Sequence, residues 1–295
     1  MFQTSDMQDN CELRGLIELM KTPGLATTSR TMLFDLIAET LSYGPKISNV
    51  FQTENGMEMV LLIFPDLLQE TRKSFCPADL SLFFRAWTGF LIGIFHENDD
   101  NRDAFWEIAR SDILEDYLLP FFSFPDFGAV LCGHLLALSV DNQSVSEIFH
   151  CTTIEDFNDT LPMQVTVANP RILLALSRLI RRSGSRLTEF FFFILHQLLD
   201  SQSNMLKLCD RGLTYEILLW FDTFKIETDI FSRVSRQKMH FSFNLESECA
   251  SAFSSCAALL RQLIVIGISS RELQHIFKNV KSHSKEITGK RQFLL

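Results

Sequence analysis

Apolar residues recur at three- and four-residue spacing through most of this 295-residue chain, which is the pattern of helices with one buried side. Within residues 32–41, the polar residues Asp35 and Glu39 lie four positions apart, so they share a face and leave a wide apolar stripe. The same spacing predicts helices over 12–21, 30–43, 46–53, 56–70, 78–96, 101–108, 111–123, 127–139, 144–151, 170–182, 187–200, 203–211, 214–224, 245–267 and 270–280.

Non-helical stretches are few. The best strand candidate is the segment 163–167 (MQVTV), but its neighbours offer no pairing partner, so we interpret it as an extended linker. The surrounding stretch 152–170 is the best candidate for an internal boundary within one domain spanning 1–295, and 225–244 is a second non-helical region. The basic residues near the end make 281–295 a candidate for a flexible tail.

Three segments repeat one pattern, and they cover 48–64, 101–119 and 204–221. In each, a short helix carries a large apolar residue, a small or polar break follows, and a second apolar helix contains Leu-Leu near its end. Gly56 and Gly212 suit the break because a tight corner between helices often needs a positive φ. In the remaining segment, Ser111-Asp112 takes that place as an N-cap.

A long apolar helix is predicted before each copy of the repeat. One helix pair cannot bury its apolar face alone, so consecutive pairs are expected to stack around a shared core. This predicts an all-α fold, specifically an armadillo/HEAT-like α-solenoid of stacked helix pairs, with a compact helical domain as the alternative. The content of 12 glycines and 8 prolines agrees, because an all-β sandwich needs many more turn residues.

The longest apolar runs, such as 86–95, contain about ten residues, which is short of the roughly 18–20 needed to cross a bilayer. We therefore expect buried core helices and no transmembrane segment. The first residues lack a basic region followed by an apolar core, so no secretory signal is expected. The seven cysteines form no CxxC motif and most lie among apolar residues, which favours reduced thiols in a cytoplasmic protein.

Charge is unevenly distributed along the chain. Residues 1–150 contain 22 Asp and Glu against 9 Lys and Arg, whereas residues 151–295 contain 14 against 18, giving net charges of −13 and +4. The acidic first half argues against nucleic acid as a ligand. The asymmetry reflects either two differently solvated faces or a charged surface for a partner.

The search for chemistry yields no catalytic, metal-binding or cofactor-binding residues, since HExxH, GxSxG and glycine-rich phosphate loops do not occur. One acidic run contains Glu97, Asp99, Asp100 and Asp103. From Asp99 its spacing imitates an EF-hand loop, but Ala104 replaces the required glycine and Arg110 the final glutamate. We interpret the run as a solvated loop between helices and as a candidate partner-binding site.

The second candidate site is a basic cluster formed by Arg178, Arg181, Arg182 and Arg186. These residues either complement the dipole at a helix C-terminus or bind an acidic peptide or phosphate. Four phenylalanines follow at 190–193, and they fit a helix buried on nearly all sides or, alternatively, an exposed aromatic groove for a partner helix.

Two segments resemble parts of the armadillo-like regions of large BEACH-domain scaffold proteins. One runs from Asn204 through Leu208-Cys209 and Gly212-Leu213 to Leu218-Leu219, and the other is ISSRELQHIF at 268–277. The resemblance implies a fragment or relative of a large scaffold used in vesicle traffic or selective autophagy. The BEACH domain, WD40 repeats and lipid-binding zinc finger of that family are absent from this sequence, so no functional residues carry over.

The sequence therefore predicts a cytoplasmic, non-enzymatic scaffold or adaptor for protein–protein interaction, without cofactors. A peptide or helix of another protein is expected to bind in a concave surface, at the arginine cluster or the acidic run. The alternative on the same fold is a regulatory module that binds a small GTPase or docks peripherally on membranes.

Overall fold

The computed structural model describes residues 3–42, 51, 53, 55–95, 99–124, 127–140, 165–183, 187–223, 243–267 and 269–278. These residues are mostly helical, so the predicted all-α class is confirmed. The chain divides into two compact units, Met1–Ser185 and Arg186–Leu295. The sequence favoured 152–170 as an internal boundary; most of that stretch, like most of 225–244 and all of the tail 281–295, lies outside the described residues.

The helices of the first unit are α1 (Gln3–Met20), α2 (Thr27–Ser42), α3 (Gly56–Leu62), α4 (Phe64–Lys73), α5 (Pro77–Phe95), α6 (Asp99–Ala109), α7 (Ser111–Leu118), a 3-10 turn (Leu119–Ser123), α8 (Phe127–Ser139) and α9 (Pro170–Ser183). The second unit contains α10 (Thr188–Leu199), α11 (Gln202–Asp210), α12 (213–223), α13 (Phe243–Ile264) and α14 (270–278). The predicted helices 170–182, 187–200 and 203–211 match α9, α10 and α11 to within one residue, whereas most of 46–53 and all of 144–151 lie outside the described residues.

Long helices pack side by side within each unit, and α2 lies against α5 in parallel orientation. The first residues of both helices line one small cavity, and the Phe34 ring near the middle of α2 contacts the rings of Phe83 and Phe90, with centroids 5.8 and 5.3 Å apart. In the second unit, α10 packs against α13, and Gln262 Nε2 near the end of α13 donates a 3.3 Å hydrogen bond to the Leu199 carbonyl at the end of α10.

Three long helices share one burial register. Met32, Leu82 and Phe193 are each the sixth residue of α2, α5 and α10, and each is exposed. Four positions around this exposed residue are buried in all three helices: the position two residues before it and the positions one, two and five residues after it. The buried set is Arg30, Leu33, Phe34 and Ile37 in α2, Leu80, Phe83, Phe84 and Trp87 in α5, and Phe191, Ile194, Leu195 and Leu198 in α10.

The short helices that follow α5 and α10 begin in the same way. Asn101 is the third residue of α6, and its Nδ2 donates to the Ile94 carbonyl at 3.0 Å. Asn204 is the third residue of α11, and its Nδ2 donates to the Leu198 carbonyl at 3.0 Å. Both amides are buried, and each satisfies a carbonyl in the last turn of the preceding long helix that has no intrahelical partner of its own. Two of the predicted repeat segments thus begin with residues that make the same contact.

The corner residues follow the prediction at one position only. Gly212 has a φ of 97°, as expected for a tight corner. At the other glycine corner, Asn55 has the positive φ of 58°, and Gly56 is needed for a different reason. A Cβ on Gly56 would overlap the buried ring of Phe51, so the missing side chain permits a close approach. The predicted N-cap at Ser111 is wrong, because Arg110 occupies the cap position and no side-chain hydrogen bond caps α7.

Two further boundaries differ from the prediction. The expected helix over 56–70 is divided at Ile63, because Pro65 lacks an N–H and cannot continue the hydrogen-bonding of the preceding turn. The Ile63 carbonyl accepts two hydrogen bonds, from the Leu67 N–H at 3.0 Å and from Arg30 Nη1 at 3.2 Å. The candidate strand also has a contact that the sequence did not suggest, since Val167 forms an isolated antiparallel bridge with Val140.

By length and composition, α5 is long and apolar enough to cross a membrane, and among the described residues it is the one helix that is. Half of its most apolar window is buried inside the unit, and α5 packs against α2, α6 and α8. A buried core helix meets the same criteria as a membrane span. The indole Nε1 of Trp87 in this helix donates to the Val60 carbonyl at 3.2 Å.

Candidate functional site

The predicted arginine cluster is tied to acidic residues of its own unit. Arg178 Nε donates to Glu115 Oε1 at 2.5 Å, and Arg182 Nη2 donates to Asp116 Oδ1 at 2.7 Å. Arg182 also lies 3.6 Å from Glu115 Oε2. Glu115 is only 3% exposed, so its charge is removed from water and held by the two guanidinium groups. The cluster therefore joins α7 to α9.

The other members of the cluster contribute less to this contact. Arg181 is half-buried beside the pair, and Arg186 lies outside the described residues. The sequence suggested either a complement to the dipole at a helix C-terminus or a site for an acidic peptide or phosphate. Arg181 and Arg182 do lie in the last turn of α9, and the charges of Arg178 and Arg182 are also balanced by carboxylates of α7. Binding of a partner to these arginines stays a prediction, and it would compete with the contact to Glu115.

The acidic run is helical where the structure describes it, which corrects the expectation of a loop between helices. Asp99 and Asp100 are the first two residues of α6 and Asp103 is the fifth, and Asp100 and Asp103 are exposed. Negative charge at a helix N-terminus is stabilised by the macrodipole, so this placement has a structural reason. Glu97 lies outside the described residues.

The four phenylalanines do not form an open groove. Phe190, Phe191 and Phe192 are buried, and the ring of Phe192 contacts that of Trp220 at 5.2 Å. Phe193 alone is exposed, at 41%. Its position at the shared register site of α10 explains this, because the same site is exposed in α2 and α5.

Large exposed apolar side chains lie on α2 and on α5, which are neighbours in the first unit. We name this surface the α2/α5 face and define it by Met32, Leu36, Leu82, Gly89 and Gly93. The three large side chains are 66%, 46% and 54% exposed. A Cβ on either glycine would meet no atom within 4 Å, so the surface above α5 is open. The two helices are parallel neighbours, and Met32 and Leu82 are the equivalent residues of α2 and α5.

The sequence analysis missed this face, although one signal was present. Asp35 and Glu39 were assigned to a solvent-facing side of α2, and both are exposed. Met32 and Leu36 precede them by three residues each, and residues three apart lie on the same helix face. Leu82 carried no comparable signal, because apolar residues surround α5 on nearly every side.

A small cavity lies where α2 and α5 begin. It has a volume of about 100 Å³ and is lined by Thr27, Thr28, Glu70, Thr71, Ser74, Cys76, Asp79 and Leu80. Glu70 Oε1 accepts a 2.9 Å hydrogen bond from the backbone N–H of Thr27, which caps α2 from the end of α4. Two of the lining residues, Glu70 and Asp79, carry carboxylates.

Burial favours the neutral form of one histidine and two cysteines elsewhere in the chain. Burial, with a smaller effect from the charge of Arg85, lowers the pKa of His134 from 6.5 to about 4. Burial raises the pKa of the Cys132 and Cys256 thiols to about 12, which suppresses the thiolate that a nucleophile or metal ligand needs. Within the described ranges, no group of three or more His, Cys, Asp and Glu residues is placed to hold a metal ion.

Comparison with known proteins does not assign a family: no family model, no curated protein and no solved structure matches this chain.

Proposed function

We propose that this protein is a non-enzymatic scaffold or adaptor that binds other proteins on an armadillo/HEAT-like α-solenoid of stacked helix pairs. The observation that carries the proposal is the register shared by α2, α5 and α10. Each helix buries the same four positions and exposes a large apolar residue at the same fifth position.

The packing within the units supports stacking of repeats. A chain that repeats a helix pair brings equivalent helices side by side in parallel orientation, and α2 and α5 have this arrangement. The buried asparagines at the starts of α6 and α11 add a second repeated contact, at the same distance in both units. Repetition of both the long helix and the corner after it is typical of a helical-repeat protein.

The same register explains why such a fold would bind partners. Exposed apolar residues on parallel neighbouring helices form a continuous strip, and apolar strips with polar borders are typical of protein-binding surfaces. The α2/α5 face is that strip in the first unit. A role in vesicle traffic or selective autophagy rests on the resemblance to BEACH-domain proteins and remains part of the proposal.

The proposal is tested by capturing partners from native cell extract with the full chain and with three single-residue variants. Met32→Asp and Leu82→Asp place a charge on the α2/α5 face, whereas Leu206→Asp changes a leucine of similar exposure on α11 and serves as the control. Buried apolar anchors contribute about 2 kcal/mol or more to binding, so capture should fall roughly thirty-fold with the first two variants only.

Circular dichroism must show equal helix content for all three variants, since Asp costs a similar amount in each exposed helix position. Equal capture of the same proteins by wild type, Met32→Asp and Leu82→Asp would contradict a binding role for the α2/α5 face. If Leu206→Asp loses capture while Met32→Asp and Leu82→Asp retain it, the binding site lies in the second unit.

A further inference from the structure

We propose that the partner segment for the α2/α5 face is an amphipathic helix with a lysine or arginine at one end, and that this basic side chain enters the cavity where α2 and α5 begin. This inference rests on the proposed function and names the chemistry of the partner.

The cavity and the apolar strip are continuous. Thr28 lines the cavity and lies one turn before Met32, and Met32 lies one turn before Leu36. With a rise of 1.5 Å per residue, the two apolar residues lie about 6 Å and 12 Å from Thr28 along the helix axis. A partner helix that covers this distance needs its basic residue about one turn from its first apolar anchor.

The charge balance of the cavity favours a cation. Glu70 and Asp79 bring two carboxylates, while the N-termini of α2 and α5 each contribute about half a positive charge. Among these groups the two carboxylates outweigh the two helix N-termini by about one charge, while Arg72 and Lys73 at the end of α4 are exposed to solvent. The hydroxyl oxygens of Thr27, Thr28 and Ser74 are further acceptors for an ammonium or guanidinium group. An anion would meet both carboxylates at short range, which excludes a phosphate or an acidic side chain as the occupant.

The walls of the strip have the same preference. Asp35 is exposed three residues after Met32, on the α2 side. The equivalent residue of α5 is Arg85, which is exposed and whose charge acts on His134 of α8. The border along α2 is therefore acidic, and basic residues on the polar side of a partner helix would be attracted to it.

The size of the strip fits a helix. Leu82 and Gly93 are eleven residues apart in α5, which corresponds to about 16 Å, or three turns of a partner helix. The two exposed glycines leave open space above α5, so the backbone of a second helix can approach closely. An amphipathic helix places anchors at every third and fourth position and so matches side chains on two parallel helices.

The test uses two synthetic 16-residue helical peptides with leucines at identical amphipathic positions. One carries a lysine one turn before the first leucine, and the other carries glutamine there. Binding to the full chain is measured by fluorescence anisotropy at low and physiological salt. The lysine peptide is expected to bind about five- to ten-fold more tightly, with the difference reduced by salt.

Three variants locate the interaction. The double variant Glu70→Gln/Asp79→Asn should abolish the difference between the peptides, and the glutamine side-chain oxygen can still cap α2. The control Asp100→Asn/Asp103→Asn removes two exposed carboxylates from α6 and should preserve the difference. Met32→Asp should weaken both peptides equally.

The outcomes separate the two proposals. Equal affinity of both peptides for wild type, or no binding of either, overturns the basic helix as the partner and leaves the scaffold function to the capture experiment. A difference that persists in Glu70→Gln/Asp79→Asn also overturns it, because the cation is then recognised elsewhere. Peptide binding that Met32→Asp leaves unchanged contradicts the α2/α5 face itself.

Discussion

The buried imidazole of His134 should make the first unit sensitive to acid. His134 lies in the middle of α8 and is 6% exposed, and the charge of Arg85 acts on it in addition to burial. Both influences disfavour the imidazolium, so the pKa falls from 6.5 to about 4 in the folded chain. The proton that the unfolded chain binds near neutral pH is therefore not accepted by the folded chain.

The size of the effect follows from the difference between the two pKa values. Above pH 6.5 the imidazole is neutral in both states and contributes nothing. As the pH falls below 6.5, the unfolded state binds a proton and the folded state does not, so the free energy of unfolding decreases by about 1.4 kcal/mol per pH unit. The loss reaches about 2 kcal/mol at pH 5 and levels off near pH 4, where the folded state also binds the proton.

Urea unfolding at pH 7 and pH 5 measures this loss, with the fluorescence of Trp87 and Trp106 reporting on the first unit. The variant His134→Gln removes the titrating group and retains a polar side chain. Wild type should lose about 2 kcal/mol more than His134→Gln between the two pH values, while carboxylates titrate alike in both. His196→Gln, in the second unit, is the control and should behave as wild type. An equal loss in wild type and His134→Gln would refute a neutral, buried His134.

Two other predictions concern buried polar contacts. Asn101→Ala and Asn204→Ala each leave a helix-end carbonyl without its donor, so each should lower the free energy of unfolding of its own unit by about 1–3 kcal/mol. If one of the two losses falls inside this range and the other outside it, the two corners are not equivalent. Glu115→Gln removes a buried charge from two arginines and should cost about 2–3 kcal/mol, whereas Asp116→Asn removes an exposed one and should cost less than about 1 kcal/mol. Urea titration of each variant at pH 7 gives both comparisons, and similar costs for the last two would contradict the burial of Glu115.

The repeated corner shows what a sequence pattern can and cannot predict. The segments beginning at Asn101 and Asn204 were aligned from apolar spacing, and the structure gives both asparagines one role. Gly212 in the segment 204–221 and Gly56 in the segment 48–64 were assigned the same conformation, which is correct for Gly212 and wrong for Gly56. A positive φ and a close approach of a neighbouring side chain to the backbone both require glycine, so the sequence cannot distinguish the two reasons. Only the position of the Phe51 ring distinguishes them.

The candidate sites were harder to predict than the helices. Arg178 was recognised as part of a basic cluster, but its partner Glu115 lies 63 residues away and no local pattern connects them. The exposed residues Met32 and Leu82 are apolar, so the sequence alone predicts that each of them is buried in the core. Whether such a residue is buried depends on which neighbouring helix covers it, and that is a property of the packed unit.

The sequence by itself determined the helices, because the backbone of a helix is set by contacts between residues three and four apart. It also located the repeat segments that begin at Asn101 and Asn204, although the burial of the two asparagines and their hydrogen bonds became known only from the structure. Only the tertiary structure decided which side of each helix remains exposed and which charges are paired, because these depend on contacts between distant segments. The α2/α5 face, with the acidic cavity at its end, belongs to this second group.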